Sequence, residues 1–357
     1  MAIRRAPDDY LGRKEIRFDE KKAGEIMTNP EFPLVKAAFI RPFKMAMESN
    51  GISPDAYFRK FRLPASELDD PAVLVPEKPF WQLINQVAIA EMIPDFGMQV
   101  AQAMPWYEID TLKSLLAGRR PLQQVLETFC EAAGSQSNTS GFKLRFTGDI
   151  CWFENHGQVL ISNDIQMESY RVTSMIELVQ LAAGKNWSPL GVHLMMDDNR
   201  VIYRNRLLKG CAVMFSQPRT AIAMPVGLLN ANVSLNPDMA SNGLKPIENI
   251  HDKSEFLASL TTVIVQYIQE DDLSIELIAD LSGCSVRTLQ RLLKQHDVSY
   301  NELLSKARMN FAMVNLKDSH MPITEIAHKL GYNDAGHFTR AFKRWTGMTP
   351  TRYRKSH

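Results

Sequence analysis

Long apolar runs are missing from this 357-residue chain. None approaches the ~20 residues that a membrane-spanning helix needs, so no membrane partner is expected. Residues 1–30 hold four Lys/Arg within the first fourteen positions. They lack the apolar core of a secretion signal, and the expected location is the cytoplasm. Cysteine is scarce as well. Cys130, Cys151, Cys211 and Cys284 stand far apart with no Cys-x-x-Cys pair. That spacing argues against a zinc site or a disulfide framework and for small apolar side chains in a reducing compartment. The eight histidines show no pairing at helical ligand spacing. Nor is there a Gly-x-Ser-x-Gly, a His-Glu-x-x-His or a phosphate-cradling glycine loop. The expectation is no metal, no cofactor and no enzyme.

A large charge of either sign is also lacking, since the net is +1. The distribution is lopsided. Ser285 to His357 holds thirteen Lys/Arg against five Asp/Glu, whereas residues 1–284 hold 28 against 35. A basic C-terminal segment on a mildly acidic body is the footprint of a nucleic-acid-binding module joined to something else.

What is present is a message written twice. The first copy reads Ile278-Ala279-Asp280-Leu281-Ser282-Gly283 and then Leu289-Gln290-Arg291-Leu292-Leu293-Lys294. The second reads Ile326-Ala327-His328-Lys329-Leu330-Gly331 and then Phe338-Thr339-Arg340-Ala341-Phe342-Lys343. Each is a short apolar helix stopped by glycine, a corner one residue longer in the second copy, and a basic amphipathic helix. This is the helix-turn-helix pattern, whose second helix enters the major groove of double-stranded DNA. Ser285 is placed to cap the first of these basic helices. Its outward face carries Arg287, Gln290, Arg291 and Lys294; that of the second carries Gly336, Thr339, Arg340 and Lys343. Arginine presents two donors to guanine, glutamine pairs with adenine, and a threonine methyl suits a thymine methyl. Lysines near the helix ends suit phosphate. Lys294, Thr339, Lys343 and Arg344 are assigned to phosphate. Between the copies, Tyr300 to about Leu316 reads as one helix with Leu303, Leu304, Ala307, Phe311 and Val314 facing the cores. Such a strut holds the two reading helices about one DNA turn apart.

Upstream the pattern is mixed. Residues 1–30 read as an N-terminal arm and 31–232 as an effector-sensing and dimerisation domain. Residues 233–252 read as an Asn-, Pro-, Ser- and Gly-rich linker, and 253–357 as the DNA-binding domain. Helices are expected from Phe32 to about Leu63 with a break at Gly51–Pro54, then over Pro79–Ala90, Leu122–Ala133 and 165–183, with a further segment around Phe96–Ala103. Phe142, Leu144 and Phe146 alternate with Lys143 and Arg145 as in a strand. Gly148-Asp149 turns the chain into Cys151-Trp152-Phe153, and further strands are expected at Val192–Met196, Ala212–Phe215 and Thr220–Met224. The fold class is therefore an α+β domain of helices around an antiparallel sheet, followed by an all-α domain with two helix-turn-helix motifs joined by a helix.

The stretch from Phe338 to Arg354, with Tyr332 after Gly331 and with Ile323 and Ile326 ahead of it, resembles the C-terminal signature of the AraC/XylS transcriptional regulators. The resemblance covers about residues 255–356. It implies seven helices, two helix-turn-helix units, and activation or repression of transcription, with RNA polymerase as a partner if the protein activates. Carried over by position, the base-contacting face falls on Arg287, Gln290 and Arg291, and on Ala335, Gly336 and Arg340. Ala335 and Gly336 offer little to a base edge, which leaves Arg340 most of the second reading. Asp297 stands where many relatives have glycine. More loosely, Leu34 to about Ala231 is similar to the arabinose-binding-like sensory domain of one branch, through Gly51-Ile52-Ser53-Pro54, Leu63-Pro64, Val213-Met214-Phe215 and Val226 to Asn230. That likeness implies a small-molecule effector and a homodimer, not a particular ligand. Trp106, Tyr107, Trp152, Trp187 and His193 are aromatic candidates for a pocket, each read first as packing, so the effector-binding residues stay unknown. Two other readings remain open. In one, the N-terminal domain only dimerises or binds a protein partner. In the other, a DNA repair or modification enzyme uses the same module as an address, although no cysteine has a Cys or His partner at ligand spacing.

Overall fold

A computed structural model describes residues 33–64, 68–71, 73–116, 118–134, 136–137, 139–157, 164–235, 255–268, 273–318 and 321–356. The expected arm and most of the expected linker lie outside them. The described residues form two compact units. The first lies within 33–73 and 77–235, the second within 255–356 together with Leu74–Pro76.

In chain order the elements begin with β1 (Leu34–Lys36), α1 (Ala37–Ser49), α2 (Pro54–Lys60), β2 (Leu74–Pro76), α3 (Glu77–Ala90) and α4 (Phe96–Ala103). Then come α5 (Asp110–Leu116), β3 (Gly118–Pro121), α6 (Leu122–Ala133) and the hairpin of β4 (Phe142–Thr147) and β5 (Ile150–Asn155). The unit closes with α7 (Ile165–Ala183), β6 (Gly191–His193), β7 (Ala212–Met214), β8 (Ala221–Pro225) and β9 (Asn232–Leu235). Five strands make one sheet in the order β4-β5-β8-β6-β7. Its pairs are antiparallel except β6 with β7, which run parallel. The α+β expectation is borne out, with that one parallel pair as an addition.

Alternation along the sheet places its two faces. Cys151 and Phe153 on β5 and Ile222 and Met224 on β8 are fully buried, and Phe153 meets Phe129 of α6 at 5.9 Å between ring centres. Trp152, Ala221 and Ala223 cluster on the opposite face. Behind the sheet lies α7, a 19-residue helix with buried positions on every side. Asp164 caps it by accepting the Met167 N–H at 2.9 Å. Glu168 ties it to the sheet region, accepting from Thr220 Oγ1 at 2.6 Å and from the Met195 N–H at 3.2 Å. Helix α4 approaches α7 so closely that a Cβ on Gly97 would sit 2.2 Å from the Gln166 carbonyl oxygen. Only glycine permits that contact.

Three local expectations need correction. Val35 lies in β1 rather than in a helix. Phe146, at the end of β4, is exposed. The segment expected to open the linker starts with β9, which pairs antiparallel with β3, Val233 opposite Arg120. Its Asn and Ser content hid a strand in which Val233 is buried.

The second unit has seven helices among the described residues: α8 (Glu255–Gln266), α9 (Ile275–Leu281), α10 (Val286–Gln295), α11 (Tyr300–Asp318), α12 (Ile323–Lys329), α13 (Ala335–Thr346) and α14 (Pro350–Ser356). Helix α11 packs against α8 and contacts α12, α13 and α14. At 1.5 Å per residue its 19 residues span about 28 Å. Its buried line runs through Leu303, Leu304, Ala307, Ala312 and Leu316. Val314 is 57% exposed, which corrects its expected inward position. It lies two residues, about 200° of helical rotation, away from both Ala312 and Leu316.

Candidate nucleic-acid interface

The two repeats close their first helices with the same backbone bonds. After α9, the Gly283 N–H donates to Asp280 O at 3.0 Å and the Cys284 N–H to Ala279 O at 3.0 Å. After α12, the Gly331 N–H donates to His328 O at 2.9 Å and the Tyr332 N–H to Ala327 O at 3.0 Å. Both glycines are left-handed, at φ 69° and 73°, a region that a Cβ disfavours. Ala279 and Ala327 are the carbonyl partners and are buried, so both the glycine and the alanine of the repeated pattern have structural reasons. A third stop of the same form ends α10, with the Val298 N–H on Leu293 O at 3.1 Å. There Asp297 takes φ 53°, the left-handed role expected from its place in the sequence.

The reading helices begin at side-chain caps. Ser285 Oγ accepts the Thr288 N–H at 3.2 Å, and Asp334 Oδ1 accepts the His337 N–H at 2.8 Å. Between stop and cap the first corner has Cys284 alone and the second has Tyr332 and Asn333, which is the extra residue seen in the sequence. Counted from the caps, the helices align. Arg287 matches Gly336, Gln290 matches Thr339, Arg291 matches Arg340 and Lys294 matches Lys343.

Burial sorts the two faces. In α10, Leu289, Leu292 and Leu293 are buried while Arg287, Gln290, Arg291 and Lys294 are exposed. In α13, Phe338, Ala341 and Phe342 are buried while Gly336, Arg340, Lys343 and Arg344 are exposed. Ala335, Thr339 and Trp345 are half-buried. Each helix therefore carries an exposed arginine six residues past its cap and an exposed lysine three residues further on. Asp334 also shapes the second face. The His337 backbone bond, with lesser help from the charges of His337 and Arg340, holds its carboxyl below the ordinary range. A Cβ at Gly336 would lie 3.0 Å from Asp334 Oδ1 and 3.8 Å from an Arg340 guanidinium nitrogen. The space over the first turn of α13 thus belongs to the cap and to Arg340.

Several supporting residues were not singled out from the sequence. Ser299 and Glu302 form a reciprocal cap at the start of α11: the Ser299 N–H reaches Glu302 Oε2 at 2.7 Å, and the Glu302 N–H reaches Ser299 Oγ at 3.3 Å. Ser-x-x-Glu is a readable signal for this arrangement, as is an aspartate just ahead of an amphipathic helix. Arg354 of α14 donates to Met321 O at 2.6 Å and, at 3.4 Å, to Leu316 O near the end of α11. No sequence pattern announces that brace. Among the aromatic candidates of the first unit, Trp106 stacks on Phe129 at 4.8 Å, while Trp152 pairs with His193 on the other face of the sheet at 4.3 Å. They do not form one site. Among the described residues no group of three His, Cys, Asp or Glu is placed to hold a metal, and no helix is long and apolar enough to cross a membrane.

Residues 278–356 match the family described as "Helix-turn-helix domain". Residues 51–233, just over half of the chain, match "Arabinose-binding domain of AraC transcription regulator, N-term". The chain is 30% identical over 151 residues to the ornithine utilization regulator of Pseudomonas aeruginosa, covering 41% of this chain and 44% of that protein. It is 29% identical over 105 residues to the transcriptional activator NphR of a Rhodococcus species, covering 29% and 31%. It thus matches less than half the length of either relative. A solved structure of the transcriptional regulator CdpR from Pseudomonas aeruginosa aligns over 89% of this chain and 98% of that one, at 18% identity and a TM-score of 0.39. With the arabinose-binding-type domain ahead of two capped helix-turn-helix units, the chain belongs to the AraC family of transcription regulators.

Proposed function

We propose that the protein is a sequence-specific transcriptional regulator that binds promoter or operator DNA through both helix-turn-helix units and answers to a small-molecule effector bound in its N-terminal unit. The observation that carries this reading is the cap-for-cap equivalence of α10 and α13, with Arg291 and Arg340 exposed at the same position of each. Arg287, Gln290, Arg291 and Arg340 read base edges, and Ala335 and Gly336 face the duplex with little to offer it. Lys294, Thr339, Lys343 and Arg344 position the phosphates. Two subunits pair through the N-terminal unit, and an activating form would also engage RNA polymerase. The protein works in the cytoplasm, where its DNA is.

The test is selection of bound duplexes from a random-sequence pool, followed by gel-shift titration of the selected site. The intact chain should prefer that site over scrambled DNA. The Arg291→Ala/Arg340→Ala double variant should lose about 1–3 kcal/mol per arginine and relax specificity at the bases concerned. Equal binding by the two proteins, or no preferred site, would overturn the reading.

A further inference from the structure

We infer that the first unit holds a binding site for a small organic ammonium ion, in a cavity walled by aromatic rings and closed by the buried carboxylate of Glu77. The inference deepens the effector-controlled reading above and rests on it for its regulatory meaning. The cavity is small, about 40 Å³. An engineered cavity of about 150 Å³ takes benzene, so this one suits a ligand of only a few heavy atoms. Phe39, Trp81, Trp106, Phe129, Phe142 and Tyr170 form the wall. They meet one another edge-on, tilted or stacked, with ring centres from 4.8 Å apart in Trp106–Phe129 to 6.4 Å in Phe39–Trp81.

The carboxylate decides the sign of the ligand. Glu77 is buried and accepts hydrogen bonds from Trp81 Nε1 at 3.2 Å, from Ser137 Oγ at 2.9 Å and from Thr139 Oγ1. All three donors are neutral. The cation on the cavity wall, Arg171, directs Nη1 to Glu168 Oε1 at 2.8 Å, so its charge is already paired. Burial pushes the Glu77 carboxyl above its ordinary range despite these donors and despite Arg171. A buried carboxylate with no bonded cation is costly, and a small cation in the cavity removes that cost. Tyr170 and Trp106 are both buried and both line the cavity, where Tyr170 Oη has Trp106 and the Ser174 hydroxyl as its polar neighbours. An ammonium group donates N–H to Glu77 and to Tyr170 Oη while its charge rests against the ring faces, which attract cations. An anion would meet Glu77 unfavourably, and a neutral alcohol would leave the carboxylate uncompensated.

The probe is ethylammonium chloride, added to the full chain and compared with sodium chloride of equal ionic strength, ethanol and sodium acetate. Thermal unfolding and calorimetric titration are the readouts. Ethylammonium should raise the midpoint in a saturable way, and the other three should not. Glu77→Gln should weaken binding about tenfold or more. Tyr170→Phe should weaken it less, and Trp152→Phe, on the far face of the sheet, should leave it unchanged. Stabilisation by acetate or ethanol equal to that by ethylammonium would overturn the site, as would wild-type affinity in Glu77→Gln. Should Glu77→Gln fail to fold, the ranking of the three probes on wild type and Tyr170→Phe decides alone. Gel shifts on the same samples separate the two readings. Specific DNA binding without an ammonium response sinks only the site, whereas an ammonium response without DNA binding sinks only the regulator.

Discussion

The guanidinium of Arg308, on α11, lies 5.5 Å from the ring centre of Tyr332, the residue whose N–H completes the stop of α12. Tyr332 in turn meets Phe338 of α13 at 5.7 Å and Trp345 at 6.5 Å. One contact thus joins the connecting helix to both helices of the second reading unit. A cation over a half-buried ring stabilises by about 0.5–2 kcal/mol. Arg308→Ala should therefore lower the calorimetric transition of the second unit and loosen α13, weakening DNA binding although Arg308 is assigned no base. Arg308→Lys should recover part of the loss, since lysine keeps the charge but not the planar stack. An unchanged transition in Arg308→Ala would show that packing of the aromatic group suffices.

Lys294 and Lys343 occupy the same position counted from their caps, and both are exposed. If both contact phosphate, each alanine substitution should weaken binding to specific and scrambled duplexes alike. Each should also reduce the slope of log K against log salt by about 1. A change confined to the specific site would mean that the lysine reads a base.

Glu154, on β5, contributes an acid-sensitive part of the first unit's stability. Burial raises its carboxyl, but bonds from His156 and Arg145 outweigh that and bring it from the ordinary 4.5 to about 2. The group is more acidic when folded. Its contribution is therefore complete above pH 4.5 and is lost as pH falls toward about 2. Because Arg145 is substantially exposed, solvent screens part of the effect. Denaturant unfolding across that range should fall more steeply for wild type than for Glu154→Gln, and parallel curves would refute the assignment.

Two backbone positions should respond with opposite signs. Gly97→Ala places a methyl on the Gln166 carbonyl and should destabilise the first unit by about 1–3 kcal/mol. Asp297→Gly relieves a left-handed aspartate at φ 53° and should stabilise the second unit by a few tenths to about 1 kcal/mol. Paired urea titrations of the two variants measure both. Stabilisation by the alanine or destabilisation by the glycine would contradict the geometry.

The second unit was largely legible because its instructions are local. Glycine stops, serine and aspartate caps and a 3.6-residue apolar stripe each act within a few residues. The paired glycines therefore located both corners, and Tyr300 located the start of α11. The misplacement of Val314 shows the limit, since a long helix touching several neighbours changes its buried face along its length. The first unit was less legible where pairing is non-local. Nothing near Val233 says that it will meet Arg120, and nothing near Glu77 says that Ser137 and Thr139, about sixty residues away, will bond its carboxylate. The cavity is assembled from α1, α3, α5, α6, β4 and α7, so no single stretch of sequence announces it.

The extra residue of the second corner falls after the peptide bonds that end α12 and before the side chain that starts α13. Transplanting one recognition segment into the other slot by counting from the glycine would turn every side chain about 100° around its axis and present leucine or phenylalanine to solvent. A graft cut from cap to cap keeps the phase. Anyone re-targeting this protein to a new operator should therefore treat Ser285 and Asp334 as the splice points.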